Sequence, residues 1–189
     1  MIGNMANRLF RRVSIILTLW TALATPIFAE VQAPNYDFSL DALQIFYPGN
    51  KKEDIEAKYG KGEVMEKNDK VLMVKYYIAH LRYKFPVIVQ YIDGQTSDFY
   101  ARLPSYFLHD VFHQSLINRI GKQDQYEKKN EEATYSWNNK DGKRHVYGAS
   151  CTITCFPIFY TVITANPPKS VSEYKPLLTK LQANYGKIK

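Results

Sequence analysis

The sequence contains little that identifies a catalytic function. Only two of its 189 residues are cysteines, Cys151 and Cys155, and three residues separate them. Thioredoxin-like redox sites and haem attachment sites need a two-residue spacing, so a redox-catalytic role is not expected. No other stretch of the chain forms a specific catalytic or ligand-binding signature. We therefore expect no cofactor, and the sequence is more informative about export, fold and binding than about chemistry.

Long hydrophobic runs are also missing. The most apolar stretch, Val13 to Phe28, is shorter than the roughly 18 to 20 residues that span a bilayer. Three arginines precede it and no acidic residue occurs before Glu30, which is typical of a secretory signal peptide over residues 1–29 with Ala29 at the cleavage site. An uncleaved anchor is the alternative. No cysteine lies near that site to anchor a lipoprotein, so we expect a periplasmic or secreted protein without a membrane span.

Charge of one sign is not concentrated in the chain. The formal net charge is +7, but three of the 25 basic residues lie in the predicted signal peptide, which leaves 22 basic residues against 18 acidic ones and a net charge of +4. Between Lys51 and Lys70, and again between Lys122 and Glu132, the two signs are interspersed. This pattern is typical of solvated surfaces and argues against a nucleic-acid partner.

Periodicity and end signals predict helices that alternate with groups of strands. Suitable charges at both ends, followed by Gly60, delimit a helix over about residues 52–59. An apolar residue recurs every four positions from Leu108 to Ile120, which predicts a longer helix opened by Pro104. Runs of β-branched and aromatic residues predict strands between these helices, and residues 172–185 are amphipathic enough for a closing helix. With 46% apolar residues available for a core, this order predicts an α+β fold.

The predicted elements occur twice in the chain. Gly60-Lys61 and Gly121-Lys122 follow the two helices at an offset of 61 residues, and Phe85-Pro86 and Phe156-Pro157 precede apolar strands at an offset of 71. A longer polar turn around residues 138–143 accounts for the difference. We therefore predict two tandem α-β-β-β repeats, over residues 30–103 and over residues 104–189 with a C-terminal helix, which could share one extended antiparallel sheet.

One segment resembles a known family. Residues 49–62 read Gly-Asn-Lys-Lys-Glu-Asp-Ile-Glu-Ala-Lys-Tyr-Gly-Lys-Gly. They are similar to the helix-turn-helix opening of the small lipoproteins of the outer-membrane β-barrel assembly complex. The β-lactamase-inhibitor-protein fold, a tandem of the same unit, also looks like the predicted arrangement. The matching residues are Gly49, Ile55, Tyr59 and Gly60, whereas Gly62 stands where the lipoproteins usually have proline. The resemblance implies a binding module of the bacterial envelope.

Two histidines form the sharpest candidate for catalysis. His109 and His113 lie four residues apart on the predicted long helix, so their side chains share one side and could hold a metal ion, with Asp110 acting on bound water. The familiar zinc-peptidase motif has glutamate in place of this aspartate. The alternative is that both rings border the apolar stripe and cover the core with a polar tip.

The cysteines allow two local structures. In a continuous strand the Cα atoms of Cys151 and Cys155 would lie about 13 Å apart, beyond the roughly 7 Å that a disulfide permits. A tight loop over residues 152–154 would instead make the two cysteines face each other. The exporting compartment favours a disulfide, whereas the β-branched Thr-Ile-Thr sequence favours the strand. We predict the disulfide.

Aromatic residues are abundant and concentrate on predicted strands. The chain has 15 tyrosines, 10 phenylalanines and 2 tryptophans. Tyrosine combines an apolar ring with a polar tip and is favoured at protein interfaces. An uncovered sheet face lined by such rings would form a binding surface, and its candidate residues are Tyr76, Tyr83, Tyr91, Tyr135, Trp137 and Tyr147.

These observations favour a non-enzymatic function. We expect an exported binding or adaptor protein that recognises a protein or cell-envelope component through an aromatic-rich sheet face. A metal-dependent hydrolase that uses His109, Asp110 and His113 is the first alternative. A purely structural scaffold of the periplasm is the second.

Overall fold

The computed structural model describes residues 39–80, 83–151, 155–167 and 174–185, the last four of these by their backbone only. The predicted signal peptide lies outside the described residues. The described part of the chain belongs to one unit, Tyr36–Lys189. None of the helices described in it combines the length and the apolar character needed to cross a membrane.

Four helices and eight strands form in the described part of the chain. The helices are α1 (Asp41–Gln44), α2 (Lys52–Tyr59), α3 (His109–Ile120) and α4 (Leu177–Tyr185). The strands are β1 (Glu63–Lys67), β2 (Val71–His80), β3 (Tyr83–Ile92), β4 (Gln95–Leu103), β5 (Gln125–Lys129), β6 (Glu132–Lys140), β7 (Lys143–Cys151) and β8 (Cys155–Thr164). The predicted bounds of α2 are confirmed: Gly60, at φ 79°, ends the helix and donates its N–H to the carbonyl of Glu56.

The eight strands form a single antiparallel sheet. Their order across the sheet is β1-β2-β3-β4-β8-β7-β6-β5, so the four strands that come first in the chain make one half and the last four make the other. The halves meet where β4 pairs with β8, from Asp98 opposite Ile163 to Leu103 opposite Ile158. The prediction of an α+β fold with mainly antiparallel sheet is confirmed.

The two edge strands were not predicted. Residues 63–67 and 125–129 have charged, alternating sequences that suggest linkers, and every side chain of β1 and β5 is exposed. Each strand forms because it pairs with an interior neighbour, β1 with β2 and β5 with β6. Short, charged edges of this kind also discourage further strands from adding to the sheet.

Helix α3 is shorter than predicted. It begins at His109, not at Pro104, because residues 104–107 form a turn in which the N–H of Phe107 donates to the carbonyl of Pro104. Leu108 then has an extended backbone, and its side chain is 51% exposed. The predicted apolar stripe therefore lacks its first member, and Phe112 and Leu116 are the residues of α3 that are fully buried.

Helices α1, α2 and α3 pack on one face of the sheet, which we call the helix face. Strand residues at alternating positions point toward these helices and form the main core with them. The largest fully buried side chains of this core are aromatic: Phe46, Tyr76, Tyr91, Phe99, Phe107, Phe112, Trp137, Tyr147 and Tyr160.

Helix α4 packs on the opposite face, which we call the open face. Leu177 is fully buried and forms a second core with Met73 and Tyr100, with Ile88 and Phe159 packed against it. The ammonium of Lys180 lies 3.4 Å from a carboxylate oxygen of Glu66 on β1. The helix therefore covers the half of the open face made by the first strands.

The cysteines lie across a hairpin. Strand β7 ends at Cys151 and β8 begins at Cys155, and the two residues are register partners with Cα atoms 3.9 Å apart. Their sulfur atoms are bonded to each other. The prediction that the cysteines face each other at disulfide distance is confirmed, and such a pair is consistent with an extracytoplasmic protein.

We predict that Gly62→Ala destabilises the fold. A β-carbon at Gly62 would lie 2.8 Å from the carbonyl oxygen of Lys75 and would also contact Val74 and Tyr76. Because the oxygen belongs to the backbone of β2, the edge strand must shift, at a cost of about 1–3 kcal/mol in the free energy of unfolding. Urea unfolding measures this loss. Lys61→Ala, at an exposed neighbouring position, is the control, and equal stability of the two variants would contradict the prediction.

Candidate functional site

The structure corrects the expectation that six aromatic residues line one open surface. Tyr76, Tyr91, Trp137 and Tyr147 are at most 2% exposed because they lie on the helix face, beneath α1 to α3. Tyr135 is half-buried on the same face, and Tyr83, 43% exposed, lies at the end of the sheet. Strand alternation places rings on a common side, but here the helices cover that side.

The buried rings have structural partners. Tyr91 donates its hydroxyl to Tyr76 over 3.0 Å. The indole N–H of Trp137 donates to the carbonyl of Gly121 over 2.7 Å and so satisfies the C-terminal end of α3. The first contact joins β3 to β2 and the second joins the sheet to α3, so these buried rings have structural roles in the core.

The two histidines of α3 are also packed against the sheet. The rings of His109 and His113 are stacked, 5.9 Å apart, and Nδ1 of His109 lies 2.9 Å from the hydroxyl of Tyr147. The centroid of His113 lies only 4.0 Å from that of Tyr135. Burial lowers the pKa of both histidines, while the Asp110 side chain is fully exposed. Within the described residues, no three His, Cys, Asp or Glu side chains converge on a possible metal position.

A buried polar chain lies near the first helix and was not predicted. The hydroxyl of Tyr160 lies 2.7 Å from Nδ1 of His145 and 3.1 Å from the hydroxyl of Tyr47. Burial, with a smaller effect from Lys143, lowers the pKa of His145 to about 4. The neutral imidazole is therefore part of the folded core at neutral pH, and alternation along β7 and β8 was the only sequence signal that placed these residues together.

The open face contains a groove beside α4, which we call the open-face groove. It extends over β8, β7, β6 and β5 and has a volume of about 390 Å³. Phe159, Thr134 and Leu178 are half-buried in its lining, and five lining residues are buried: Tyr100, Ala133, Ser136, Val146 and Ala149. Its exposed lining residues carry charges of both signs: Glu127, Lys129, Glu132 and Arg144.

The base of this groove is well packed. The rings of Tyr100 and Phe159 are stacked with centroids 5.3 Å apart. Phe159 also lies directly over Gly148 on the neighbouring strand, where any β-carbon would overlap its ring. A glycine is therefore required for the ring to lie flat on the sheet. The groove combines an apolar base with a charged border, which is the composition of many protein interfaces.

A buried carboxylate fixes the helix that forms one wall of the groove. Asp98 is fully buried on β4 and accepts the backbone N–H of Leu177 over 2.6 Å. Gln90 and Ser97 each donate to its other oxygen over 2.9 Å. Burial raises the pKa of Asp98 to about 6 despite these hydrogen bonds. The start of α4 is thus held at one place on the open face, and the other three described helices pack on the opposite face.

Comparison of the chain with models of protein families, with curated proteins and with solved structures finds no match. The arguments about function below therefore depend on the geometry alone.

Proposed function

We propose that this chain is an exported, non-enzymatic binding or adaptor protein that recognises a protein partner of the cell envelope through the open-face groove. One observation carries the proposal. Among the described helices only α4 packs on the open face, and the groove beside it has an apolar base, to which half-buried Phe159 contributes, inside a border of charged side chains.

The shape and charge of the groove suit an extended protein segment. The groove crosses four strands from α4 to the exposed edge strand β5. Glu127 and Glu132 would pair with basic side chains of the partner, and Lys129 and Arg144 with acidic ones. Apolar side chains between them would bury against Phe159, which gives affinity, while the charged border gives specificity.

The proposal includes three finer points. A periplasmic or secreted location agrees with the paired cysteines and with the predicted signal peptide. A tandem duplication agrees with the helix and four strands present in residues 52–103 and again in residues 109–164. The third point is kinship with the envelope modules that residues 49–62 resemble. The duplicated units of this chain would then each correspond to one such module.

Metal-dependent hydrolysis is a weaker alternative. Before His109 and His113 could both bind a metal ion, their rings would have to leave Tyr147 and Tyr135. Such a movement would uncover aromatic rings of the core. A role as a scaffold differs from our proposal only in requiring no partner at the groove, so the same experiment tests it.

We predict that partner binding depends on the groove. A photo-crosslinking amino acid at Lys129 should trap one protein from cell-envelope extract, and the same amino acid at Asn118, exposed on α3, should not. With the trapped protein purified, Thr134→Trp should weaken binding about tenfold or more, because the indole fills the groove. Isothermal titration calorimetry measures the affinity.

Asn118→Trp is the matched control, since it adds the same ring to an exposed position outside the groove. Equal affinity of the Thr134→Trp and Asn118→Trp variants would refute recognition through the groove. Identical crosslinking from positions 129 and 118 would do the same, and it would favour a scaffold without a defined binding surface.

A further inference from the structure

The floor of the open-face groove follows one row of register partners. Phe159 on β8 pairs with Gly148 on β7. Thr134 on β6 pairs with Gly148 on one side and with Glu127 of edge strand β5 on the other. Opposite residues of an antiparallel sheet point to the same face, so the side chains of this row lie in line across the open face. A segment that crosses the groove from α4 to the edge of the sheet therefore meets Phe159 before Glu127.

The row is apolar where it begins beside α4. The half-buried ring of Phe159 extends over Gly148, because that residue has no β-carbon to occupy the space. On the next strand, the half-buried side chain of Thr134 adds a methyl group. An apolar side chain of a partner would pack favourably on this ring and this methyl group, because the contact removes apolar surface from water on both sides.

The row ends at a carboxylate on the edge of the sheet. Glu127 is exposed, and within the described residues its side chain forms no ion pair. At the opposite edge, by contrast, the carboxylate of Glu63 lies 2.7 Å from the ammonium of Lys75. The neighbouring charged residues on the open face are Lys129, two positions along β5, and its register partner Glu132. This end of the groove therefore has two carboxylates and one ammonium, which leaves an excess of one negative charge.

Strand spacing gives the distance between the two ends of the row. Neighbouring strands lie about 4.8 Å apart, so the part of the Phe159 ring above β7 is about 10 Å from the backbone of β5. In an extended segment, side chains that face the same way are two positions apart, which corresponds to about 7 Å. The methylene groups of a lysine or arginine span the remaining distance and bring its charged end to Glu127.

We infer that the partner segment in the open-face groove is extended and carries an apolar residue and a lysine or arginine two positions apart. The apolar side chain packs on Phe159 and Thr134, and the basic side chain pairs with Glu127. Charge-assisted hydrogen bonds between such groups are stronger than neutral ones, and a charge pair at the border of an interface selects between partners. This inference rests on the proposed function, since it names the chemistry of the segment that the same groove recognises.

Two capped pentapeptides test the inference. Both have threonine at their first, third and fifth positions and leucine at the second, and the fourth position is arginine in one and glutamate in the other. Chemical shifts of the ¹⁵N-labelled protein measure binding. The arginine peptide should bind saturably, with shifts at Thr134 and Phe159, and about tenfold or more tightly than the glutamate peptide. Glu127→Lys should reverse this preference, and Glu127→Gln should reduce it.

Glu53→Lys is the matched control, because it makes the same change of charge at an exposed position of α2, on the helix face. It should leave the peptide preference unchanged. Circular dichroism checks that each variant folds, and Glu127→Gln alone tests the site if Glu127→Lys does not fold.

Three results would overturn the inference. They are equal binding of the two peptides to the wild type, no shifts with the arginine peptide at millimolar concentration, and an equal loss of preference in Glu53→Lys and Glu127→Lys. If Thr134→Trp still weakens binding of the trapped partner, these results leave the proposed function standing. A trapped partner that binds Thr134→Trp as tightly as Asn118→Trp would instead refute the proposed function itself.

Discussion

Replacing Trp137 by alanine is expected to lower the free energy of unfolding by about 3–5 kcal/mol, which is the usual cost of removing a fully buried tryptophan. Trp137 has no exposed surface, and it lies between the sheet and α3. The substitution removes the apolar contacts of the indole and leaves the carbonyl of Gly121 without the N–H that it accepts. Urea or thermal unfolding measures the loss.

Tyr126→Ala is the matched control for this prediction. Tyr126 is an aromatic residue of the same half of the sheet, but it is 52% exposed on edge strand β5. Its removal should change stability much less. If the Trp137→Ala and Tyr126→Ala variants have the same free energy of unfolding, the indole is not the main attachment of α3 to the sheet.

The second large effect is a pair of opposing pH dependences. The pKa of Asp98 is about 6 in the folded protein and 3.8 in the unfolded chain, so this residue contributes stability that is lost as the pH rises from about 4 to 6. The pKa of His145 is about 4 when folded and 6.5 when unfolded, so this residue contributes stability that is lost as the pH falls through the same range. Each effect amounts to about 2–3 kcal/mol between pH 7 and pH 4, and in the wild-type protein they oppose each other.

Single substitutions separate the two effects. Between pH 7 and pH 4, Asp98→Asn should lose about 2–3 kcal/mol more stability than the wild type, because only the histidine effect remains. His145→Asn should lose correspondingly less, because the aspartate effect remains. Urea unfolding at both pH values gives the difference directly. Burial also lowers the pKa values of His109 and His113, so these residues reduce the stability at acid pH by the same amount in all three proteins. Parallel pH profiles for the three proteins would show that neither residue titrates differently on folding.

The opposing effects arise on opposite faces of the sheet. Asp98 lies on the open face under the start of α4, and His145 lies on the helix face against Tyr160. Burial disfavours the charged form of each group. The three hydrogen bonds that Asp98 accepts favour its carboxylate but lower its pKa less than burial raises it, and His145 packs beside aromatic rings that do not stabilise a charged imidazolium enough to offset its burial. The pH profile of stability therefore reports separately on the attachment of α4 and on the main core.

Local sequence was sufficient for elements whose signals are local. Helix α2 was predicted at its observed bounds because its charges and Gly60 act within one turn of the helix. The facing cysteines were predicted because the exporting compartment favours a disulfide, although the Thr-Ile-Thr sequence between them favours a strand. Edge strands β1 and β5 were missed because their side chains are all exposed, so no hydrophobic pattern marks them. The first turn of α3 was predicted too early because Pro104 also fits a tight turn.

The sequence by itself determined the class of the fold and the bounds of helix α2, since periodicity, turn residues and helix-end charges are properties of short segments. Only the tertiary structure decided which sheet face the helices cover. Alternation shows that Tyr76, Tyr91, Trp137 and Tyr147 can share a face, but it cannot show what packs on that face. The position of α4 depends on Asp98, 79 residues away from Leu177 in the chain. That long-range contact fixes α4 as one wall of the groove in which we expect binding.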